Sequence, residues 1–149
     1  MPNLTKASVI VAMLFTSAAA WAQNNSAVGL WKTIDDETGK PKALVRVTEE
    51  NGTLQGKIEK LFRGPNEEQN PVCTKCTDSR KNQPMIGMTI VSGLKKNGDE
   101  YTGGEILDPA AGKVYKSKAT LRDGGQKLEV RGYIGAPMFG RSQVWQREG

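Results

Sequence analysis

The sequence predicts an all-β fold, an antiparallel up-and-down β-barrel of about eight strands. Three observations predict it: short segments whose apolar residues alternate with period two, turn residues between these segments, and almost no helical periodicity. The predicted strands span residues 28–35, 42–49, 53–62, 86–94, 99–107, 112–121, 126–134 and 141–147.

Turn-forming residues separate consecutive strands and favour tight antiparallel connections. Gly39 follows the first strand, and the Asn-Gly pairs at 51–52 and 97–98 tolerate the positive φ of hairpin turns. The segments "DPAAG" at 108–112 and "RDGG" at 122–125 repeat this chemistry between later strands. Each predicted strand therefore pairs with the next one along the chain.

Closure of the sheet is the favoured arrangement, because an open meander would leave two exposed edge strands. A barrel of about eight strands encloses either a filled core or one small ligand. The predicted inward-facing residues are Leu30, Ile34, Val45, Val47, Leu54, Ile58, Met88, Ile90, Leu121, Leu128, Val130 and Val144. These side chains are large enough to fill a narrow barrel, so the sequence leaves both a filled and a hollow interior open.

Glycines inside the predicted strands have two interpretations. They are Gly56, Gly87, Gly103, Gly104 and Gly132. Such residues permit the sharp coiling of a small barrel, which is the favoured explanation. The alternative is that bare backbone leaves room for a ligand.

Residues 1–22 are predicted to be a secretory signal peptide. Lys6 precedes an apolar run that ends in Ala20-Trp21-Ala22, a small-x-small cleavage pattern. The run is too short to span a bilayer, and no later segment is long enough to do so. We therefore expect residues 23–149 to form a single domain without a transmembrane segment, in the periplasm or secreted.

The formal net charge is +5, and the charges are spread along the chain. In "LKKNGDEY" and "KVYKSKA" they alternate with other residues, as on solvated strand faces, whereas a nucleic-acid groove needs clustered Lys and Arg interleaved with aromatics. We therefore predict no nucleic-acid partner. Attraction to an anionic lipid or polysaccharide surface is compatible with the charge.

Cys73 and Cys76 lie in the segment "PVCTKCTDSRKNQP". A thioredoxin-like site requires Cys-x-x-Cys at the start of a helix, but polar turn formers and Pro84 follow here. A closed zinc site requires further ligands, and the chain has no histidine and no third cysteine. In an oxidising compartment the simplest interpretation is a Cys73–Cys76 disulfide, which stabilises its loop by about 2 kcal/mol.

The disulfide falls within the longest predicted loop, residues 63–83. Long loops without secondary structure are uncommon in compact domains and are often functional. The loop is a candidate lid over the open end of the barrel. Resistance to proteolysis is an equally good explanation of the cross-link.

The sequence shows no catalytic constellation, and we assign no catalytic, metal-binding or cofactor-binding residue. The absence of histidine excludes Ser-His-Asp and Cys-His arrangements. The candidate polar residues for a ligand, or for a carboxylate-based reaction, are Tyr101, Glu105, Asp108, Tyr115, Arg131 and Tyr133. Asp108 also opens an ordinary turn, and Glu105 is equally consistent with a solvated strand residue.

The segment "GYIGAPMFGRSQ" combines glycine and proline with apolar side chains and is typical of a barrel rim. Exposed Met138 and Phe139 would form the mouth of an apolar pocket or a docking patch. If they fold under the barrel, they belong to the core or to a plug at its bottom. We favour the core or plug position.

Both ends of the chain carry a shared pattern: "GLWKT" places Trp31 on the first strand, and "GRSQVWQR" places Arg141, Trp145 and Arg147 on the last. This pattern resembles the calycin barrels, the lipocalins and their relatives, in which an arginine stacks over the tryptophan at the closed end. The resemblance implies that Trp31, Trp145 and either Arg147 or Arg141 close the barrel. A cation over an indole face contributes about 0.5–2 kcal/mol.

Further segments resemble the exported bacterial family called domain of unknown function 2147. They are "GLWKT", "GKIEKL", the Cys73 and Cys76 pair, "KNQPMIGMTIVSGLKK", "GGEILDPAAGKVY" and "LEVRGYIGAPMFGRSQVWQR". The resemblance implies an exported, calycin-like barrel and gives no reaction.

The predicted function is noncovalent binding of a small apolar or amphipathic molecule in the barrel. The alternative is a cell-envelope protein that contacts a protein partner or anionic lipid through its surface or the disulfide loop. A carboxylate-based enzyme is the third hypothesis. A filled barrel interior would favour the alternative over ligand binding.

Overall fold

The fold is a closed barrel of eight antiparallel strands, as the sequence predicts. The computed structural model describes residues 10–12 and 25–149. The predicted signal peptide therefore lies outside the described residues, apart from 10–12. The strands are β1 (Gly29–Ile34), β2 (Pro41–Glu50), β3 (Thr53–Leu61), β4 (Thr89–Asn97), β5 (Glu100–Asp108), β6 (Lys113–Arg122), β7 (Lys127–Tyr133) and β8 (Gly140–Arg147).

Each strand pairs with its neighbours in sequence, and β8 returns to pair with β1. The start of β1, the end of β8 and the hairpins after β2, β4 and β6 lie at one end, which we call the closed end. The other four connections lie at the open end. The β1–β8 seam is short, with Trp31 opposite Arg147 and Lys32 opposite Gln146. Its pairing therefore lies near the closed end only.

The position of β4 differs from the prediction of residues 86–94. The strand begins at Thr89, because the residues before it form a turn in which the Met88 N–H donates to the Met85 carbonyl at 3.1 Å. It continues to Asn97 through polar residues that pair with the start of β5. The apolar pattern therefore begins before the strand does and ends before the strand ends.

Most of the predicted inward residues are buried. Those with 9% exposure or less are Val45, Val47, Leu54, Ile58, Met88, Ile90, Leu128 and Val130. Leu121 is partly buried and packs against this core. The period-two pattern therefore identifies the inner face of most strands.

The predicted inner faces of β1 and β8 are wrong by one residue. Leu30 and Ile34 are only half-buried, whereas Trp31 between them is fully buried. In β8, Val144 is 46% exposed and Trp145 is 2% exposed. Side chains alternate across a strand, and the indole rings have the largest apolar surface to bury, so the tryptophans take the inner positions.

Trp31 and Arg147 lie in contact at the closed end of the barrel. The guanidinium carbon of Arg147 lies 4.3 Å from the centroid of the Trp31 ring. The same guanidinium donates to the carbonyls of Gly125, Val28 and Ser26 at 2.7, 3.0 and 2.6 Å. Burial lowers the pKa of Arg147, but an arginine stays protonated at any physiological pH. One side chain thus joins the start of β1, the β6–β7 turn and the end of β8.

The long loop between β3 and β4 carries the predicted disulfide between Cys73 and Cys76. Both cysteines are buried, with exposures of 0% and 1%. Cys73 Sγ lies 3.5 Å from the carbonyl oxygen of Pro109 in the β5–β6 turn. The disulfide therefore seats the loop against this turn.

Arg80 fixes the second half of the same loop. Its Nη1 donates to the carbonyl of Thr89 at 2.9 Å, which ties the loop to the start of β4. Its guanidinium also hydrogen-bonds to the carboxylate of Asp78 and lowers the pKa of that carboxyl to about 2. The loop is therefore held in place at two points, by the disulfide and by the hydrogen bond from Arg80 to the start of β4.

Gly112 marks a close approach of the disulfide loop to the barrel. Its φ is +67°, and a Cβ built there would overlap the backbone of Lys75 and Cys76. Gly112→Ala is therefore expected to lower the free energy of unfolding by about 3 kcal/mol, through left-handed backbone strain and steric overlap together. Chemical denaturation measures the loss.

Gly98→Ala is the matched control, because the φ of Gly98 is +62° but a Cβ there meets no atom within 4 Å. This variant is expected to lose about 1 kcal/mol from backbone strain alone. Equal losses for the two variants would mean that the disulfide loop does not pack on the β5–β6 turn in solution.

Candidate functional site

The open end of the barrel contains a cavity of about 400 Å³. This volume falls within the range of about 300–1,000 Å³ that small-molecule sites occupy. All eight strands contribute to its lining, together with Pro109, Ile134 and Phe139 from the connections. The barrel is therefore filled at its closed end and hollow at its open end.

Apolar side chains form most of the cavity wall. They are Ala43, Val45, Ile58, Leu61, Ile90, Ile106, Leu107, Pro109, Val130, Ile134, Phe139 and Trp145. Val45, Ile58 and Val130 also belong to the buried core, so they mark the boundary between the filled and hollow halves. Such a wall takes up apolar surface through the hydrophobic effect.

Gly132 lies in the cavity lining without a side chain. A Cβ built there would lie 3.4 Å from Ile106 Cγ2 and 3.5 Å from Tyr115 Cβ, which are ordinary contact distances. Gly132 thus adds bare backbone to the cavity wall. The curvature explanation applies to Gly103, which has a φ of +75° where the β5–β6 register shifts.

The β7–β8 loop, residues 134–139, forms one side of the mouth, and we call it the rim loop. Ile134 and Phe139 line the cavity. Ile134, Met138 and Phe139 are nevertheless 67%, 76% and 69% exposed. The core or bottom-plug position that we favoured for Met138 and Phe139 is therefore wrong, because this loop lies at the open end and projects from it.

Arg131 holds the rim loop in place from the strand before it. Its Nε donates to the carbonyl of Pro137 at 2.6 Å and its Nη2 to that of Gly140 at 3.3 Å. Its Nη1 donates to Ser142 Oγ on β8 at 3.0 Å. The structure thus places this candidate ligand residue as a support of the mouth and outside the cavity lining.

The inner face of β8 brings polar groups into the cavity lining, where Arg141, Gln143 and Trp145 follow one another at alternate positions. Gln143 Oε1 accepts from the indole N–H of Trp145 at 3.5 Å. Gln143 Nε2 donates to Asp36 Oδ2 at 3.3 Å, and Arg141 Nη2 lies 3.6 Å from the same oxygen. Asp36 belongs to the β1–β2 loop, so these contacts bridge the part of the seam without strand pairing.

Arg141 therefore lies at the mouth and not at the closed end, where the resemblance offered it as an alternative to Arg147. The position of Arg141 at the start of β8, next to the rim loop, explains the difference. Trp145 is buried and lines the cavity. Of the two arginines, Arg147 is the one that stacks on Trp31.

The remaining candidate residues separate into two groups. Tyr115 and Tyr133 line the cavity. Tyr101 lies at the closed end, 6% exposed, where its hydroxyl accepts the N–H of Ala27 at 3.2 Å. Glu105 is exposed and pairs in register with Lys116 on β6. The structure does not bring Tyr101 and Glu105 to the cavity.

Gln143 and Asp36 belong to the mouth but were not among the predicted residues. The sequence carries a signal for Gln143, because strict alternation from Trp145 places it on the inner face. It carries none for Asp36, whose partner Gln143 is 107 residues away along the chain. Contacts between distant segments follow from closure of the barrel and not from local pattern.

Asp108 is the one predicted carboxylate in the cavity lining. Its Oδ1 accepts the backbone N–H groups of Ala110 and Ala111 at 3.1 and 3.4 Å, so it caps the β5–β6 turn.

In residues 10–12 and 25–149, no three Cys, Asp or Glu side chains are grouped so as to hold a metal ion. The same part of the chain contains no helix with the length and hydropathy needed to cross a membrane.

The closed eight-stranded barrel with a cavity at one end is a lipocalin-like fold. Protein HP1028 from Helicobacter pylori, described as belonging to the lipocalin family, is similar to it with a TM-score of 0.69 and 19% identity, over 83% of this chain and 84% of that chain. None of the curated proteins matches the sequence. Residues 29–147 match the family described as "Uncharacterized protein conserved in bacteria (DUF2147)", and the chain belongs to this family.

Proposed function

We propose that this protein binds a small apolar or amphipathic molecule noncovalently in the cavity at the open end. The observation that supports the proposal is a cavity of about 400 Å³ whose wall exposes more apolar than polar surface and whose mouth carries polar and charged side chains. The lipocalin-like fold is compatible with this kind of binding. Transfer of an alkyl chain from water into such a cavity contributes about 0.8 kcal/mol per buried CH₂ group.

A titration with an apolar fluorophore whose emission rises in apolar surroundings tests the proposal. We expect saturable uptake of one fluorophore per protein and its displacement by a nonfluorescent alkyl compound. Emission that does not saturate, or that no alkyl compound displaces, would contradict binding in the cavity.

We further propose that the protein acts outside the cytoplasm, in the periplasm or as a secreted protein. The disulfide between Cys73 and Cys76 supports this location, because such bonds persist in oxidising compartments. The signal pattern that ends at Ala22 supports it independently. Mass analysis of the exported protein should then give Gln23 as its first residue.

A second candidate function is contact between the rim loop and a membrane surface of the cell envelope. Three large apolar side chains of this loop, Ile134, Met138 and Phe139, are more than 60% exposed. The loop contains no charged residue. Exposed apolar groups beside a ligand mouth are suited to extracting an amphiphile from a lipid surface.

Met138→Ser tests this contact, because Met138 is exposed and does not line the cavity. We expect its co-sedimentation with phosphatidylglycerol vesicles to fall about fivefold, since it loses an apolar group that enters the lipid interface. Val144→Ser is the matched control, because Val144 is 46% exposed on the outer face of β8. Equal losses for both variants would exclude the rim loop as the contact.

A further inference from the structure

We infer that the molecule bound in the cavity is an anionic amphiphile whose acidic head group is held at the mouth by Arg141 and Gln143. This inference rests on the proposed function, because it assigns the class of ligand that the cavity takes. The apolar wall would hold the tail of such a molecule, and the inner face of β8 would hold its head.

Arg141 and Gln143 present hydrogen-bond donors at the mouth of the cavity. Both residues line the cavity on the inner face of β8. The indole N–H of Trp145 donates to Gln143 Oε1 at 3.5 Å. Because an indole nitrogen only donates, the amide oxygen faces Trp145 and the amide NH₂ group is left for another acceptor. The geometry thus favours a negatively charged hydrogen-bond acceptor between the Gln143 amide and the Arg141 guanidinium.

The carboxylate of Asp36 shows that such an acceptor fits. Its Oδ2 accepts from Gln143 Nε2 at 3.3 Å and lies 3.6 Å from Arg141 Nη2. Both distances exceed the value of about 2.7–2.9 Å for a strong charge-assisted hydrogen bond. A carboxylate on a mobile ligand is not restrained by the β1–β2 loop and can approach these donors more closely. Asp36 therefore acts as an internal substitute for the head group of the ligand.

Asp36 can leave these donors without loss of strand pairing. The β1–β8 ladder ends at Lys32 and Gln146, so no ladder hydrogen bond lies beside Asp36. The β1–β2 loop keeps its own order, because the carboxylate of Asp35 accepts the N–H groups of Glu37 and Thr38, both at 2.9 Å. These backbone hydrogen bonds lower the pKa of Asp35. Displacement of Asp36 is therefore a local change.

The other charges at the mouth do not oppose an anion strongly. Lys42 also lines the cavity and adds a positive charge. Asp108 lines it too, but its Oδ1 accepts two backbone N–H groups of its own turn. The side chain of Arg141 is 76% exposed, so water and salt screen its charge. We therefore expect a selectivity of about fivefold for an anionic head group over a neutral one.

A pair of ligands that differ only in the head group tests the inference. Dodecanoate and dodecanol are titrated against the fluorophore-loaded protein, and the ratio of their dissociation constants is compared between variants. We expect Arg141→Gln to weaken dodecanoate about fivefold and dodecanol by less than about twofold. Asp36→Asn should strengthen dodecanoate about threefold, because the competing carboxylate is gone.

Arg46→Gln is the matched control. Arg46 pairs with Glu59 on the outer face, so this substitution removes the same charge at a position away from the mouth. It should leave both ligands unchanged. A dodecanoate-to-dodecanol ratio that is the same in the wild type, Arg141→Gln and Asp36→Asn would overturn the head-group assignment alone. Failure of both ligands to displace the fluorophore would overturn the proposed function instead.

Discussion

Gly132→Phe is expected to abolish uptake of an apolar ligand while the barrel stays folded. Gly132 lines the cavity, and a Cβ there meets Ile106 and Tyr115 only at ordinary contact distances of 3.4 and 3.5 Å. The first atom of the new side chain is therefore accommodated, and because Gly132 lines the cavity we expect the ring to occupy cavity space. Because the ring occupies space that the ligand needs, affinity for the apolar fluorophore should fall more than about tenfold.

Gly132→Ala is the matched control for this variant. It adds only the Cβ, so binding should stay within about twofold of the wild type. Thermal unfolding of both variants shows whether the barrel is intact. A folded Gly132→Phe protein that binds the fluorophore as well as the wild type does would place the ligand outside this cavity.

Arg147→Met is expected to destabilise the barrel strongly. The guanidinium lies 4.3 Å from the Trp31 ring and donates to the carbonyls of Gly125, Val28 and Ser26. Methionine keeps apolar contact with the indole but removes the charge and all three hydrogen bonds. We expect a loss of about 3 kcal/mol, which lowers Tm by about 10 °C.

Arg46→Met is the control for Arg147→Met, because Arg46 makes an exposed ion pair with Glu59 across β2 and β3. Such pairs contribute less than about 1 kcal/mol. Calorimetry of the two variants compares the effects. A loss for Arg147→Met no larger than that for Arg46→Met would show that the closed end does not depend on the stacked arginine.

The sequence predicts the strands and turns because their signals are local. Asn51 and Gly52, for example, adopt φ values of 52° and 76°, as the Asn-Gly pair between two alternating segments predicts. Local pattern fails where both faces of a strand are apolar. In β1, Leu30 and Trp31 are adjacent apolar residues, and the choice between the two faces depends on which side chain has the larger surface to bury.

The cavity could not be predicted from the sequence, because its volume depends on packing across the barrel. Gly132 on β7, Ile106 on β5 and Tyr115 on β6 all line the cavity, so its shape depends on three strands at once. The mouth depends on an even longer-range contact, from Asp36 to Gln143. The periodicity of one strand does not report on the cavity or on the contact between Asp36 and Gln143. The sequence shows which residues form them, but not that these residues meet.

Native mass spectrometry of the protein, purified gently from the cells that make it, tests whether the barrel carries a ligand. We expect one small adduct per protein that organic extraction removes, and a mass about 2 Da below that of the reduced chain because of the disulfide. Extraction then identifies the head group and tail of the ligand. A protein that carries no adduct and also takes up no apolar fluorophore would contradict the claim that this barrel is a ligand-binding protein.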